Sequence, residues 1–163
     1  MYVTVERAEQ ATEPSAALVI GAKFRIARPP DPANPRKEGR DPPHGRLDAR
    51  DPVTGRVAWS RRYDEAPHSA LLATAGGLLF NGTALGWIEA LDAATGEPLW
   101  RFNSGSPHTG GIVSYSVQAR QYIAVASGRG SLVMNSYDEL WPDTFGKAGF
   151  EHSALLMAFA LPE

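Results

Sequence analysis

The chain has 163 residues, of which 43% are hydrophobic, and a formal net charge of −2, so by size it is one ordinary soluble domain. This charge does not indicate a nucleic-acid partner or an anionic membrane surface, and no apolar run is long enough for a membrane span. The chain contains no cysteine, which excludes disulfides, thiolate metal sites and cysteine nucleophiles.

The pattern of apolar residues predicts short strands separated by turns rich in glycine and proline, which indicates an all-β fold. The first strand is expected at residues 2–6, which do not form a charged leader, so the sequence predicts no signal peptide in this chain. Further strands are predicted at residues 17–20, 23–27, 46–51, 56–63, 69–74, 78–81, 87–92, 97–103, 111–116, 121–127 and 153–161.

Two stretches interrupt this series of strands. Residues 29–45 carry six prolines among charged residues, a composition that favours a loop or insertion over a buried core. Residues 128–152 begin with glycine and serine, and they are expected to form an irregular loop before the closing strand. Apart from these two stretches, we expect residues 1–163 to form a single structural unit.

An eleven-residue pattern occurs twice and organises the strands around it. The copies are ARDPVTGRVAW at residues 49–59 and ALDAATGEPLW at residues 90–100, with an offset of 41 residues. Each contains Asp-x-x-Thr-Gly, a tight turn in which the aspartate bonds backbone N–H groups and glycine adopts a positive φ at low cost. A repeat of about 40–45 residues with strands on both sides is the period of a four-stranded propeller blade.

The repeat supplies structural residues rather than catalytic ones. They are Asp51, Thr54, Gly55 and Trp59 in the first copy, and Asp92, Thr95, Gly96 and Trp100 in the second. We expect both tryptophans to lie at equivalent places, each stacked on the backbone of the neighbouring blade. Because a propeller needs at least ~4 blades to close, the remaining blades or another chain must complete the ring.

The repeat and its flanks resemble the quinoprotein alcohol and methanol dehydrogenases, which depend on pyrroloquinoline quinone (PQQ). The resemblance rests on GRLDARDPVTG at residues 45–55, LATAGGLLF at residues 72–80, the second repeat, and SYSVQARQYIAV at residues 114–125. The MYV start, the Glu-Pro at residues 13–14 and MAFAL at residues 157–161 follow the order of blocks in that family's C-terminal third. The repeat itself is similar to the family's tryptophan-docking motif.

The resemblance implies that this chain is a partial β-propeller, about two full four-stranded blades plus flanking strands of an eight-bladed ring. The ring would lie in the periplasm, with PQQ at its centre and Ca²⁺ or a lanthanide beside it. Its last strand commonly completes the first blade. In that family an alcohol is oxidised with a catalytic Asp as base, the metal polarises the quinone, and an electron acceptor follows. The catalytic Asp and the metal ligands have no match in this chain, so we expect no activity from it alone. The alternative is a non-catalytic propeller of the same superfamily that acts as a binding or assembly scaffold.

Three positions correspond to the family's PQQ contacts but carry other residues. Glu6 stands in place of an Asn that faces PQQ, His68 in place of a Trp beside the quinone, and Arg129 in place of the Trp of Gly-Trp-Gly. Glu6 would face an already tricarboxylated cofactor, whereas Arg129 could pair with a quinone carboxylate. These three residues are the predicted cofactor-binding positions, and no catalytic or metal-binding residue is predicted.

His68 and His108 both follow a proline and lie 40 residues apart. One interpretation places them on the axial funnel, as metal ligands or proton carriers. The other treats them as loop residues that repeat because the blades repeat. Two histidines without a third acidic or histidine ligand make a poor metal site, so the sequence favours the loop interpretation for His108 and leaves His68 open.

Overall fold

The computed structural model describes residues 2–6, 43–145 and 154–160 and shows an antiparallel all-β fold, which confirms the predicted class. Within these residues the strands are β1 (Tyr2–Glu6), β2 (Gly45–Arg50), β3 (Val57–Tyr63), β4 (Leu72–Ala73), β5 (Leu78–Gly82), β6 (Trp87–Asp92), β7 (Pro98–Asn103), β8 (Ile112–Val117), β9 (Arg120–Gly128) and β10 (Ala154–Ala160). The strands predicted at residues 17–20 and 23–27, and most of the proline-rich stretch, lie outside the described residues. No helix in the described part of the chain is long and apolar enough to cross a membrane.

The strands form three sheets that follow one another along the chain. The first sheet has the order β1-β2-β3, the central sheet β4-β5-β6-β7 and the last sheet β10-β9-β8. Every pair joins described strands that follow one another in the sequence. Short turns connect most of these pairs, whereas long connections join β1 to β2 and β9 to β10. The hairpin predicted between β8 and β9 turns through Gln118 and Ala119, which both have positive φ.

The last strand, β10, pairs with β9 from Ala154 opposite Gly128 to Ala160 opposite Tyr122. Its Met157 packs against the apolar cluster between the central and last sheets. Closure of a ring by this strand stays a prediction. A difference from the predicted strands concerns residues 69–74, of which only Leu72–Ala73 is a strand, and the Ala70 N–H donates to the Gly110 carbonyl ahead of β8.

The central sheet is packed on both faces. The joint between the first and central sheets, called the first joint, buries Leu47, Ala49, Trp59, Leu79 and Leu91. The joint between the central and last sheets, called the second joint, buries Phe80, Ile88, Ala90, Ile112, Ile123 and Val125. Alternation along the strands explains this division, because Leu79 and Phe80 are neighbours in β5 and therefore point to opposite faces.

The expected irregular loop over residues 128–152 is helical where it is described. A 3₁₀ helix covers Leu132–Ser136, α1 covers Tyr137–Leu140 and α2 covers Pro142–Phe145. We call residues 132–145 the helical cap. Its apolar anchors recur at intervals of three and four residues, the spacing of one helical face, and they are Met134, Tyr137, Trp141 and Phe145. They pack against Ala66 and Ala84 at the ends of the first and central sheets.

Candidate functional site

The first Asp-x-x-Thr-Gly segment, residues 51–55, is called the first turn. Asp51 Oδ1 accepts hydrogen bonds from the N–H groups of Val53 (2.9 Å) and Thr54 (2.7 Å) and from the Thr54 hydroxyl (3.0 Å). Gly55 closes the turn with a φ of 70°, a conformation that glycine adopts without strain. The carboxylate of Asp51 is therefore committed to holding the turn.

The second turn, residues 92–96, has the same geometry. Asp92 Oδ1 accepts from the N–H of Thr95 (2.8 Å) and from its hydroxyl (3.1 Å), and Gly96 has a φ of 78°. These hydrogen bonds, with the backbone N–H of the threonine as the largest cause, hold the pKa values of Asp51 and Asp92 below their usual range. The hydrogen bonds within each turn identify these carboxylates as turn formers.

Trp59 of the first sheet lies directly on the second turn. Its indole Nε1–H donates to the Ala93 carbonyl (3.1 Å), and the side chain is 9% exposed. A Cβ placed on Gly96 would lie 2.6 Å from the indole ring, closer than side-chain carbons approach one another. Glycine is therefore required at position 96 for two reasons: the positive φ, and the indole of Trp59, which leaves no room for a side chain.

Trp100 of the central sheet does not repeat this contact, although the sequence predicts equivalent positions for the two tryptophans. Its side chain is 42% exposed, and its ring meets Phe159 edge to face at 5.4 Å between centroids. Beside it lies a groove of about 680 Å³ between the central and last sheets. Its lining includes Leu78, Phe80 and Ile123. The two tryptophans do hold equivalent places in their sheets, each opposite the alanine that begins its repeat. The expected stacking of Trp100 on the backbone of a neighbouring blade stays a prediction.

A polar cluster occupies the part of the first joint beyond Trp59. The Tyr63 hydroxyl donates to Glu89 Oε2 (2.9 Å) and accepts from Arg61 Nε (3.0 Å) and Asn81 Nδ2 (3.2 Å). Arg61 also donates to Glu89 Oε1 (3.3 Å). Glu89 is 5% exposed, so its charge is compensated inside the joint by Arg61. Burial, together with the negative charge of Glu89, raises the pKa of Tyr63 well above its ordinary value.

The sequence analysis missed this cluster, although two signals for it were present. Glu89 lies in the apolar strand β6 and, two residues from Leu91, shares the face that packs in the first joint. Arg61 and Tyr63 likewise follow Trp59 at intervals of two along β3. A charged residue in register with core residues on each of two strands is the pattern that predicts a buried ion pair.

The helical cap engages two of the three predicted cofactor positions. His68 Nε2 lies 2.8 Å from the Ser131 hydroxyl, and its ring lies 6.3 Å from that of Tyr137. The Arg129 guanidinium forms an ion pair with Asp138 and contacts the Met134 carbonyl. The structure therefore brings His68 and Arg129 to the same short segment, residues 131–138.

Glu6, the third predicted position, is placed only by its backbone. It ends β1 and is paired opposite Arg46 of β2 in the first sheet. His68 follows β3 of the same sheet, and Arg129 follows β9 of the last sheet.

His108 is fully buried and belongs to the loop before β8. Its Nε2 lies 3.1 Å from both the Gly86 carbonyl and the Ser104 hydroxyl, while Nδ1 has no hydrogen-bond partner. Burial lowers the pKa of the His108 imidazole, and the hydrogen bond to Gly86 opposes this only in part. Across the described residues no three acidic or histidine side chains converge to hold a metal ion. His108 is a loop-packing residue in this arrangement.

Comparisons with known proteins identify a matching family and relatives with similar sequences. The chain matches the family model described as glucose/ethanol/alcohol dehydrogenase, beta-propeller domain, over residues 6–123. The quinoprotein alcohol dehydrogenase PedH of Pseudomonas putida is 35% identical over 95 residues, which is 57% of this chain and 15% of the relative. The chain therefore spans only a small part of the length of this relative.

Solved structures give the same result for the fold. The quinohemoprotein alcohol dehydrogenase from Comamonas testosteroni is 41% identical, with a TM-score of 0.52, over 54% of this chain and 13% of that one. A europium-containing methanol dehydrogenase is 29% identical, with a TM-score of 0.62, over 77% of this chain and 24% of that one. The three sheets are therefore similar to part of a β-propeller.

Proposed function

Since the chain belongs to the glucose/ethanol/alcohol dehydrogenase β-propeller family, we propose that it is the C-terminal part of a PQQ-dependent alcohol-type dehydrogenase. The observation that carries this proposal is the family match over residues 6–123, which includes both repeats, the first joint and all of the second joint except Val125. Its substrate would be a small-molecule alcohol, its location the periplasm, and its partners the remaining blades and an electron acceptor.

Within that enzyme we assign this chain a structural role. The aspartate carboxylate of each Asp-x-x-Thr-Gly turn accepts hydrogen bonds from its own turn. Trp59 joins the first and central sheets through its contact with the second turn. This contact has the form expected of the family's tryptophan-docking motif. The catalytic Asp and the ligands for Ca²⁺ or a lanthanide would come from other blades, because no residue of this chain matches them.

The described residues do not fit PQQ by themselves. A tricarboxylated quinone calls for cationic partners, and the predicted cation, Arg129, is already paired with Asp138 and only 15% exposed. His68 Nε2 contacts the hydroxyl of Ser131, the residue before the helical cap. No catalytic step through the quinone is therefore derived for this chain.

The same pairings favour a second candidate, a non-catalytic scaffold. In a scaffold the polar groups at the former cofactor positions would be satisfied inside the chain, as Arg129 is by Asp138. Both candidates use the blades in the same way. They differ in whether a completed ring binds the quinone.

The first test is a titration of the purified chain with PQQ, with Ca²⁺ or a lanthanide present, followed by absorbance and calorimetry. We expect no saturable binding, because the described cation at the predicted site is internally paired. Saturable binding would contradict the structural role. The oligomeric mass, measured on the same sample, shows whether the chain closes a ring alone.

A chimera separates the enzyme from the scaffold. The 95 residues of the PedH relative that match this chain would be replaced by the residues of this chain, with unmodified PedH as the control. We expect the chimera to bind PQQ, and Arg129→Ala within it to weaken that binding if Arg129 turns from Asp138 to a quinone carboxylate. A folded chimera that binds no PQQ would overturn the enzyme proposal in favour of the scaffold. If Arg129→Ala leaves PQQ binding unchanged, Arg129 does not contact the cofactor.

A further inference from the structure

We propose that the loop of residues 104–110, called the clamp loop, is an acid-sensitive clamp that holds the central and last sheets together while His108 stays neutral. The clamp loop joins the end of β7 to the start of β8, so it connects these two sheets along the chain. Because the described residues already bury His108 completely, blades outside this chain cannot reach its ring. The inference therefore does not depend on how the ring of blades is completed or on whether PQQ binds.

On the side of the central sheet, the clamp loop is anchored by His108 itself. Its backbone N–H donates to the Thr83 carbonyl (3.0 Å) in the turn between β5 and β6. Its side chain packs so closely on β5 that a Cβ placed on Gly82 would lie 2.5 Å from the His108 Cβ. The ring Nε2 lies 3.1 Å from the Gly86 carbonyl. Backbone and side-chain contacts together therefore hold the imidazole in one position.

On the side of the last sheet, the residues next to His108 make the contacts. The Gly128 N–H at the end of β9 donates to the Pro107 carbonyl (2.6 Å). The Gly110 carbonyl accepts from the Ala70 N–H (3.1 Å), ahead of β4. The clamp loop thus bonds the ends of two segments that carry predicted cofactor positions. Opening of the loop would release both segments.

The hydrogen bonds of the ring define which nitrogen carries the proton. The Gly86 carbonyl can only accept, so the nitrogen beside it, Nε2, is the protonated one. The other nitrogen, Nδ1, is buried and has no hydrogen-bond partner. Protonation of His108 would create a second N–H at Nδ1, and this charged donor would have neither an acceptor nor water. The geometry of the site therefore favours the neutral imidazole, as does the burial that lowers the pKa of His108.

The described neighbours of the ring offer no charge that could compensate for an imidazolium. They are the backbone of Gly82 and Gly86, the Ser104 hydroxyl, and Ser69, which lies beside Gly82. Side chains on the neighbouring elements that are charged or titrate near neutral pH have described contacts of their own. These contacts are His68 with Ser131, Glu89 with Arg61, Asp92 with Thr95, Arg101 over Trp87, Arg120 over Tyr122, and Arg129 with Asp138.

The clamp loop should lose stability below the ordinary pKa of histidine, which is about 6.5. Because folding lowers the pKa of His108, the opened loop binds a proton more readily than the closed loop does. The stability linked to the neutral ring is therefore complete above about pH 6.5 and is lost as pH falls below it. One proton of this kind can change the opening equilibrium by at most about tenfold per pH unit.

Hydrogen exchange resolved by NMR measures opening of the clamp loop. The reporters are the N–H groups of Ala70, His108 and Gly128, which all donate in the contacts described above. From about pH 7.5 to about pH 5.5 their protection, corrected for the intrinsic pH dependence of exchange, should fall several-fold and by up to about tenfold. The reference is the Gly96 N–H, which donates to the Asp92 carbonyl within the second turn and should keep its protection.

Two matched glutamine variants separate titration from packing. In His108→Gln, the amide nitrogen can donate to the Gly86 carbonyl as Nε2 does, but it does not titrate. We expect this variant to lose the fall in protection at acid pH. His68→Gln is the control, because His68 also follows a proline and holds the corresponding place ahead of the central sheet. Its pH response should equal that of the unmodified chain.

Nitrogen NMR of the histidine-labelled chain keeps the test valid if His108→Gln does not fold, which circular dichroism establishes. The His108 ring should stay neutral, with its proton on Nε2, below about pH 6.5, where a free histidine is mostly charged. The proposal is overturned if His108 titrates like a free histidine, if protection of the reporters does not change with pH, or if the Gly96 N–H loses protection equally. It is also overturned if His108→Gln keeps the acid response or His68→Gln abolishes it.

Discussion

The two joints of the central sheet are built on the same repeat but completed differently. In the first joint an indole lies on a glycine turn, and a polar cluster around Glu89 fills the remainder. In the second joint the apolar cluster around Phe80 and Val125 is buried, yet Trp100 beside it stays 42% exposed. The sequence repeat therefore specifies the turn and the position of the tryptophan, whereas the neighbouring sheet decides whether that tryptophan is buried.

The comparison separates two contributions to propeller stability. Apolar packing through the middle of a joint is present on both faces of the central sheet. Covering of the turn by an indole is described on one face only. Substitutions that affect the turn contact should therefore have unequal consequences at the two joints.

The largest difference is expected between the two tryptophans. Trp59→Ala removes a buried indole and its bond to Ala93, so it should lower the free energy of unfolding by about 3–5 kcal/mol. Trp100→Ala should cost about 1 kcal/mol, near the average for single substitutions. Urea unfolding of the two variants and the unmodified chain measures both losses. Equal losses would show that the two joints contribute alike.

The glycines of the two turns should differ next. Gly96→Ala combines a left-handed φ, which costs about 1–2 kcal/mol, with a Cβ 2.6 Å from the ring of Trp59, which adds about 1–3 kcal/mol of overpacking. Gly55→Ala should carry only the cost of the left-handed φ, since its Cβ meets nothing within 4 Å. Denaturation midpoints of the two variants test this order. In a chain that already carries Trp59→Ala, the indole is gone, so adding Gly96→Ala should cost less by the overpacking contribution. An equal cost of Gly96→Ala with and without the indole would contradict the contact.

The polar cluster should give the first joint an alkaline pH dependence that the second joint lacks. Tyr63→Phe removes three hydrogen bonds around Glu89 and should cost about 1–2 kcal/mol at pH 8. Because the pKa of Tyr63 is raised by folding, the stability linked to its proton is complete below about pH 10, the unfolded value, and is lost as pH rises above it. The difference between the unmodified chain and Tyr63→Phe should therefore shrink at pH 10.5. Tyr115→Phe, on the exposed face of the last sheet, is the control. A difference that stays constant with pH would contradict the linkage.

The fold class and the repeat were predictable because both rest on local rules. The alternation of apolar residues places β5 and β6 with one face in each joint. Asp51 and Gly55 form their turn from side-chain bonds and positive φ that involve no distant residue. Local rules of this kind hold in any context.

Long-range packing accounts for the features that sequence reasoning did not predict. The exposure of Trp100 depends on the last sheet, and the pairing of β10 with β9 depends on Met157 and Phe159 entering the second joint. The sequence analysis predicted residues 132–145 to be irregular because Ser136 and Pro142 interrupt their helical spacing. The role of Glu6, His68 and Arg129 toward a cofactor stays a prediction, since the ring that would surround the cofactor is larger than this chain.

The helical cap has a consequence for the order in which the chain folds. The pairs β2–β3, β4–β5, β5–β6, β6–β7 and β8–β9 are hairpins with short turns, which close over short separations and form quickly. The cap instead ties Tyr137 to the carbonyl of Ala66 and Trp141 to the carbonyl of Pro43, across 71 and 98 residues. Closing such long loops costs more entropy before any contact offsets it. The hairpins should therefore form first, and the cap should dock last and fasten the two ends of an assembly that already exists.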